Sequence, residues 1–216
     1  MPRRRTTLCA LALATVAVAR ELPAQEATRL FVAPTARSLR PGAGLAGTTE
    51  VLLPFCEVGL ADRLSVLGMG IVVEGGGLVV MPKIQLYDGH RVQAAVGVAQ
   101  TFAPGAAGGV GFGVATLGSA DFGVTLGYGY GYGALADSVG PRSLVFVGID
   151  KALGSHVRLI GEGYFGGQGL GMPDHTLMAG LRVSGHRLWA DLGVVAPYYE
   201  TGRGSLAPLL TFGFSF

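Results

Sequence analysis

The feature that most constrains the fold is a strict alternation of large apolar side chains with small ones in residues 121–133. The large residues stand at every second position, with glycine or threonine between them: Phe122, Val124, Leu126, Tyr128, Tyr130 and Tyr132. Period two is the repeat of a β-strand, because successive side chains of a strand point to opposite faces. A bulky apolar face that ends in tyrosines is typical of the lipid-facing side of a transmembrane β-barrel.

The composition agrees with a membrane protein that has no transmembrane helix. Of the 216 residues, 50% are hydrophobic, only 14% are charged and 37 are glycine. Beyond the N-terminal leader, no stretch reaches the roughly 18 consecutive apolar residues that a transmembrane helix needs. A closed barrel is the other structure that satisfies every backbone polar group in lipid. A soluble lipocalin-like or sandwich protein is the alternative, but the glycine-rich face of residues 121–133 offers no polar coat.

The C-terminus repeats the alternation. Leu210, Phe212, Phe214 and Phe216 share one face, with smaller residues between them. This ending resembles the terminal strand of outer-membrane proteins, whose apolar positions and last aromatic residue are recognised by the barrel assembly machinery. The resemblance implies that the three phenylalanines are an assembly signal and that this machinery is a partner.

The first 24 residues predict a cleaved signal peptide. Arginines at positions 3 to 5 precede an uncharged apolar run at 8–19, which is too short to span a bilayer as a helix. Small residues permit cleavage after Ala19 or after Ala24, and we favour Ala24. We therefore expect a signal peptide at 1–24 and one β-barrel domain at 25–216, surrounded by the lipid of the bacterial outer membrane.

Charge and cysteine content exclude several classes of function for residues 25–216. The leader holds four of the 16 basic and one of the 14 acidic residues, so the remainder has a net charge of −1 and no basic tract. We therefore exclude nucleic acid as a partner. Cys56 is left alone, which excludes an intramolecular disulfide and a cysteine metal site. The four histidines lack metal-binding spacing, and we predict no metal and no cofactor.

The chain after the leader divides into twelve strand-sized segments, which predicts an all-β, up-and-down antiparallel barrel. The segments are 28–34, 43–59, 64–73, 77–86, 91–102, 108–117, 122–133, 143–151, 156–165, 175–183, 187–196 and 207–216. Ten strands are the alternative, if the first segment is a periplasmic tail and another strand is miscounted. Tight turns alternate with mostly longer connections, as periplasmic turns alternate with extracellular loops in such barrels. An even number of strands places both termini in the periplasm.

Three segments resemble a group of uncharacterised bacterial outer-membrane β-barrel proteins. They read RLFVAPTARSL from Arg29 to Leu39, VLLPFCEVGLADRLSVLGMGI from Val51, and GVGFGVATLGSADFGVTLGYGYGY from Gly109. The resemblance extends over most of the chain after the leader. It implies the location and a porin-like fold, and it carries no established activity and no site residue.

Charged residues recur on the face opposite to the lipid-facing one. We predict that they line the lumen, since an Arg or Lys on the lipid face at the bilayer centre would cost ~2–4 kcal/mol. The predicted lumen residues are Glu50, Lys83, Arg91, Arg158, Glu162, Arg182, Arg187 and Asp191. They would select small solutes in an open pore, or they would pair across the interior and brace a closed barrel. The predicted strand number lies between filled small barrels and open porins, so it leaves both readings open.

The leading functional hypothesis is a small passive channel or uptake protein for small solutes. The alternatives are a structural or surface-interaction barrel with a plugged lumen and, less favoured, a membrane lipid hydrolase or deacylase. A hydrolase would need a serine beside a histidine. Ser155 with His156, and Ser184 with His186, are close in sequence but fall in or beside predicted turns. We therefore predict no catalytic residue.

Aromatic residues predict where the barrel meets the surface of the membrane. Tyr128, Tyr130 and Tyr132 end the lipid-facing stripe of the alternating segment, and Trp189 stands near the start of another predicted strand. Tyrosine and tryptophan are enriched at both interfaces of a bilayer, because one end of each ring is apolar and the other is polar. We predict that these four residues are interfacial anchors.

Overall fold

The computed structural model describes residues 28–72, 76–104, 106–133, 143–167, 173–199 and 202–216. These residues form antiparallel β-strands that follow one another along the chain. The strands are β1 Gly44–Thr49, β2 Leu53–Ala61, β3 Leu64–Ile71, β4 Gly77–Asp88, β5 Val92–Ala103, β6 Ala106–Gly118, β7 Phe122–Gly133, β8 Ser143–Ala152, β9 Val157–Gly166, β10 His175–Ser184, β11 Leu188–Tyr199, β12 Gly202–Arg203 and β13 Ala207–Ser215. In the described ranges, no helix is long and apolar enough to cross a membrane.

The sheet closes on itself. Each strand from β1 to β11 pairs with the next, and β13 pairs with both β11 and β1. The two-residue strand β12 is only a short extension that pairs with the end of β11. The wall is therefore an up-and-down barrel of twelve strands, which confirms the predicted fold class and strand number.

The residues that form the first strands differ from the prediction. Residues 28–34 were expected as the first strand, but they pair with no strand of the wall and contain only a bridge between Arg29 and Pro34. Residues 43–59 were expected as one strand and instead form β1, a turn and β2. At that turn Glu50 and Val51 have φ angles of 52° and 63°, a left-handed conformation that reverses the chain.

The two faces of the wall differ as the alternation predicts. In β7 the large side chains are exposed on the outside, and the glycines and Thr125 face inward. Glycine on the inner face lets a ring from the neighbouring strand lie flat against the backbone. A side chain at Gly127 would collide with Phe146 of β8, and one at Gly213 of β13 would collide with Trp189 of β11. The inner glycines therefore make room for inward aromatic rings.

The connections fall at two ends of the barrel. One end, called the turn end, holds the tight turns at 62–63, 89–91, 119–121, 153–156 and 185–187. The opposite end, called the loop end, holds the remaining connections. Gly44 and Phe216 exchange backbone hydrogen bonds of 2.8 and 2.9 Å at the turn end, so the first and last wall strands begin and end there. The location of this end in the periplasm stays a prediction.

Placing a charge on the outer face tests whether that face of the wall meets lipid. Leu126 lies in the middle of β7 and its side chain is 56% exposed on the outside. Leu126→Arg should block insertion into lipid vesicles, because arginine at the bilayer midplane of a barrel costs ~2–4 kcal/mol. Heat-modifiable gel migration measures insertion, and Leu126→Ala is the control that removes the side chain without adding charge. Equal insertion of the two variants would contradict the assignment of Leu126 to the lipid-facing side.

Candidate functional site

Residues 28–39 lie inside the ring of strands, and we call them the inner segment. The segment precedes Ala43, which lies at the turn end, and it reaches from there into the lumen. Its hydrogen bonds with inward residues of five wall strands show this position. Leu30, Phe31 and Leu39 are each 1% exposed. The segment adds no strand to the sheet, so its backbone polar groups need other partners.

The inner segment folds back on itself near residue 32. Leu30 donates its N–H to the carbonyl of Ala33, and Thr35 donates to the carbonyl of Thr28, both at 2.9 Å. This turn leaves the N–H groups of residues 31 to 33 pointing to one side. They converge on the carboxylate of Glu162 in β9, at 2.8, 3.1 and 2.9 Å for residues 31, 32 and 33 in turn. An ionised carboxylate is an acceptor only, so it suits three converging donors.

Lys83 of β4 holds the two arms of the same turn. Its Nζ atom donates to the carbonyls of Thr28, Thr35 and Arg37 at 3.2, 3.1 and 2.7 Å. The carboxylate of Glu57 in β2 lies 3.9 Å from the ammonium and accepts a 3.0 Å hydrogen bond from the Thr28 hydroxyl. All three donors of the ammonium are therefore used on the backbone of the inner segment.

Arg182 of β10 forms the third attachment. It makes a bidentate pair with Asp191 of β11, at 2.7 and 2.9 Å, and Asp191 is 0% exposed. The same guanidinium donates to the carbonyl of Leu30 at 2.8 Å. A bidentate arginine–carboxylate pair fixes the guanidinium plane, so its remaining donors are aimed at the backbone of the inner segment.

The guanidinium of Arg29 has two aromatic rings as its neighbours and forms no ion pair with a carboxylate among the described residues. Its guanidinium carbon is 3.9 Å from the ring centre of Phe55 and 4.8 Å from that of Trp189. The residue is buried, and no ion pair of the described residues includes it. Trp189 was predicted as an interfacial anchor, and this is corrected: the ring is 5% exposed and points into the lumen, where it covers Gly213.

A further cluster of three charged side chains lies at the turn end. Arg158 of β9 makes a bidentate pair with Asp150 of β8, at 2.6 and 2.7 Å, and also bonds the carbonyl of Ala120. Arg37 of the inner segment lies 3.9 Å from the same carboxylate and donates to the carbonyl of Ser119 at 2.7 Å. Both arginines therefore hold the β6–β7 turn against the mouth of the barrel.

The lumen toward the loop end has a different character. Its wall carries buried apolar and aromatic side chains that pack with Leu30 and Phe31: Phe112, Leu144, Phe146, Tyr164 and Leu209. Val32, at the tip of the inner segment, is 47% exposed although Phe31 and Ala33 are 1% exposed. The tip therefore faces unfilled space in the lumen.

The structure brings together most of the predicted lumen residues. Lys83, Arg158, Glu162, Arg182 and Asp191 lie on the inner face of the wall. Three of the predictions are corrected because the side chains are exposed in connections rather than in the wall: Glu50, Arg91 and Arg187. The carboxylate of Glu50 instead accepts a 2.6 Å hydrogen bond from the backbone of Leu210 at the loop end.

Four charged residues of the site were missed by the sequence reading. Glu57 and Asp150 have the inward parity of their strands, so the alternation itself could have revealed them. Arg29 and Arg37 belong to the inner segment, which was taken in part for a strand. No periodic signal in the sequence marks a segment that lies inside a barrel.

The remaining aromatic and histidine residues lie at the outer surface or in turns. Tyr128, Tyr130, Tyr132, Phe212, Phe214 and Phe216 are exposed on the outside of the wall. His90 and His186 are exposed in turns, and His175 lies on the outer face beside Phe165. Among the described residues, no group of histidines, cysteines and carboxylates could hold a metal ion.

Comparisons with known proteins place this architecture. No family model and no curated protein sequence matches the chain. It superposes on a KdgM porin in complex with disordered oligogalacturonate with a TM-score of 0.56 and 9% identity, covering 80% of this chain and 95% of that one. The NanC porin gives 0.56 and 8% identity, covering 81% and 98%. The barrel has the fold of bacterial outer-membrane porins. At these identities the likeness concerns the fold alone.

Neutralising Glu162 tests how the tip is held. Glu162→Gln replaces one acceptor oxygen with an amide that faces backbone N–H groups, and a hydrogen bond to a charged group contributes about 1.5–3 kcal/mol. We expect amide hydrogen exchange in residues 28–39 to accelerate at least tenfold, measured by mass spectrometry on the refolded chain. Asp62→Asn, in an exposed turn, makes the same charge change and should leave exchange unaltered. Unaltered exchange in Glu162→Gln would contradict this role.

Proposed function

We propose that this chain is an outer-membrane channel for small solutes and that the inner segment closes its lumen. Placement in the outer membrane, with the turn end in the periplasm and residues 1–24 as a cleaved leader, belongs to the same proposal. It is supported by the porin fold and by the apolar outer face of the wall. Residues 28–39 lie inside the wall, so side chains of the wall alone do not fill its interior.

The observation that carries the proposal is the way the inner segment is attached. Its backbone is bound by side chains of Glu162, Lys83 and Arg182, and no strand pairing joins residues 28–39 to the wall. The hydrogen-bond ladder of the wall is complete without the segment. Release of the segment would therefore break side-chain contacts while the barrel stays closed on itself, as a gate requires.

A structural barrel with a permanent plug is the second candidate. It is supported by the burial of Leu30, Phe31 and Leu39 among wall residues. Burying a large apolar side chain contributes about 1.5–3 kcal/mol. The two candidates differ in one measurable property, because a gated channel conducts ions when the inner segment is displaced and a permanent plug has no open state.

Displacing the inner segment by steric crowding separates the candidates. A side chain at Gly148 of β8 would collide with Leu30, so Gly148→Val should push the inner segment away without removing any charge. We expect single-channel recordings of the refolded chain in planar bilayers to show frequent, salt-dependent openings in this variant and rare ones in the wild type.

Gly113→Val is the control for the change of residue type, because Gly113 lies on the outer face of β6 and nothing lies within 4 Å of a side chain there. Its openings should be as rare as those of the wild type. Correct folding of each variant is checked by heat-modifiable migration. A folded Gly148→Val barrel with accelerated exchange in residues 28–39 and no conductance would contradict the channel and favour the structural barrel.

A further inference from the structure

The charges of the wall are nearly all matched within the wall itself. Arg182 pairs with Asp191, Arg158 pairs with Asp150, and Lys83 lies beside Glu57; these three pairs account for six of the seven inward charged residues of the described wall. Glu162 is the seventh, and none of the described ion pairs includes it. Among the described residues the wall alone therefore has one carboxylate in excess.

The inner segment supplies what Glu162 lacks. Both carboxylate oxygens accept backbone N–H groups from residues 31 to 33. These donors carry only partial charge, and they leave together with the tip when the segment is displaced. Without them the carboxylate keeps the neutral Tyr164 hydroxyl as a donor but has no cationic partner among the described ion pairs, and a buried charge without a counter-charge is costly.

The surroundings of Glu162 favour a cation with an apolar body. Tyr164 lies two residues along the same face of β9 and bonds to Glu162, and its ring packs against Phe146 at 6.2 Å between centres. Gly148 and Met178 are the cross-strand neighbours of Glu162. Gly148 leaves space where Leu30 now lies. Aromatic faces attract cations, and the thioether of methionine adapts to apolar shapes.

Unfilled space lies beside this position. Val32 faces solvent directly beside the carboxylate, since its own N–H donates to Glu162. All seven inward charged residues of the described wall are at or below the level of Glu162, toward the turn end. On the loop-end side of Glu162 the inward residues of the described wall are therefore uncharged and partly aromatic.

We propose that Glu162, once the inner segment moves away, binds the ammonium group of a small amine with an apolar or aromatic body. This inference rests on the proposed function, because it assumes that the segment leaves the lumen. The amine replaces the N–H groups of the segment, so the solute and the inner segment compete for one carboxylate.

The charge of the wall distinguishes this site from one for acidic sugars. One of the porins with the same fold was solved with oligogalacturonate, a polyanion. In this chain the three inward-facing cationic side chains of the described wall are already paired with carboxylates, and the remaining inward charge is negative. A polyanion would find no unpaired cation on the inward face of the described wall and would be repelled by Glu162.

Three probes that share one aromatic ring test the inference on the full refolded chain: benzylammonium, benzyl alcohol and benzoate. A ligand that binds only the released state raises the population of that state by mass action. Benzylammonium should therefore accelerate hydrogen exchange in residues 28–39 at least tenfold at saturating concentration. Benzyl alcohol and benzoate should change it less than twofold. In Glu162→Gln the response to benzylammonium should disappear, and in Asp62→Asn it should persist.

Each other outcome overturns the inference. An equal response to benzyl alcohol would mean that the ring alone binds, and a larger response to benzoate would mean an anion site. A response that persists in Glu162→Gln would place the amine elsewhere. These results are separate from the conductance of Gly148→Val: a silent barrel with an amine-specific response would refute the channel alone, and a conducting barrel without that response would refute the amine site alone.

Discussion

The arrangement of this barrel depends on one requirement, that the backbone of a segment enclosed in the lumen must have its hydrogen bonds satisfied. The inner segment has no strand beside it, so its N–H and C=O groups need partners from side chains. Glu162 accepts N–H groups, and Lys83 and Arg182 donate to carbonyls. The hydroxyl of Thr116 accepts the N–H of Ala36 at 3.0 Å. Glu162, Lys83 and Arg182 are thereby explained as partners of a peptide.

The same requirement explains the two kinds of inward residue. Charges lie from the level of the tip to the turn end, where the backbone of the inner segment needs them. Apolar residues lie toward the loop end, where Leu30 and Phe31 pack with wall residues such as Tyr164 and Leu209. Glycines on the inner face provide the space, as at Gly148 beneath Leu30. A twelve-stranded wall is wide enough to hold a folded-back peptide and its partners.

Much of the wall could be predicted from the sequence. The alternation in β7 and the pattern of turns determine the class of fold, the number of strands and the faces of most of them, because period two and tight turns are local properties. The interior of the barrel is non-local. Trp189 has the spacing of an interfacial ring, and only the pairing of β11 with β13 shows that it covers Gly213 inside.

The inner segment is the part that sequence reasoning misread. Residues 28–34 contain a short apolar run, which has the composition of a strand and ends at Pro34. Whether such a run joins a sheet or fills a lumen depends on partners far away in the chain, here Glu162 and Lys83. The predicted strand number was still reached, because the turn at Glu50 and Val51 divides one predicted strand into two.

The central claim is that residues 28–39 close the lumen reversibly, and a disulfide that locks them in place tests it most directly. The Cγ atom of Leu30 lies 3.2 Å from the position of a Cβ atom at Gly148, so Leu30→Cys with Gly148→Cys suits a disulfide. The exposed Cys56 is replaced by serine. The account predicts a silent barrel in planar bilayers while the disulfide is intact, and openings after reduction. Equal conductance before and after reduction would contradict it.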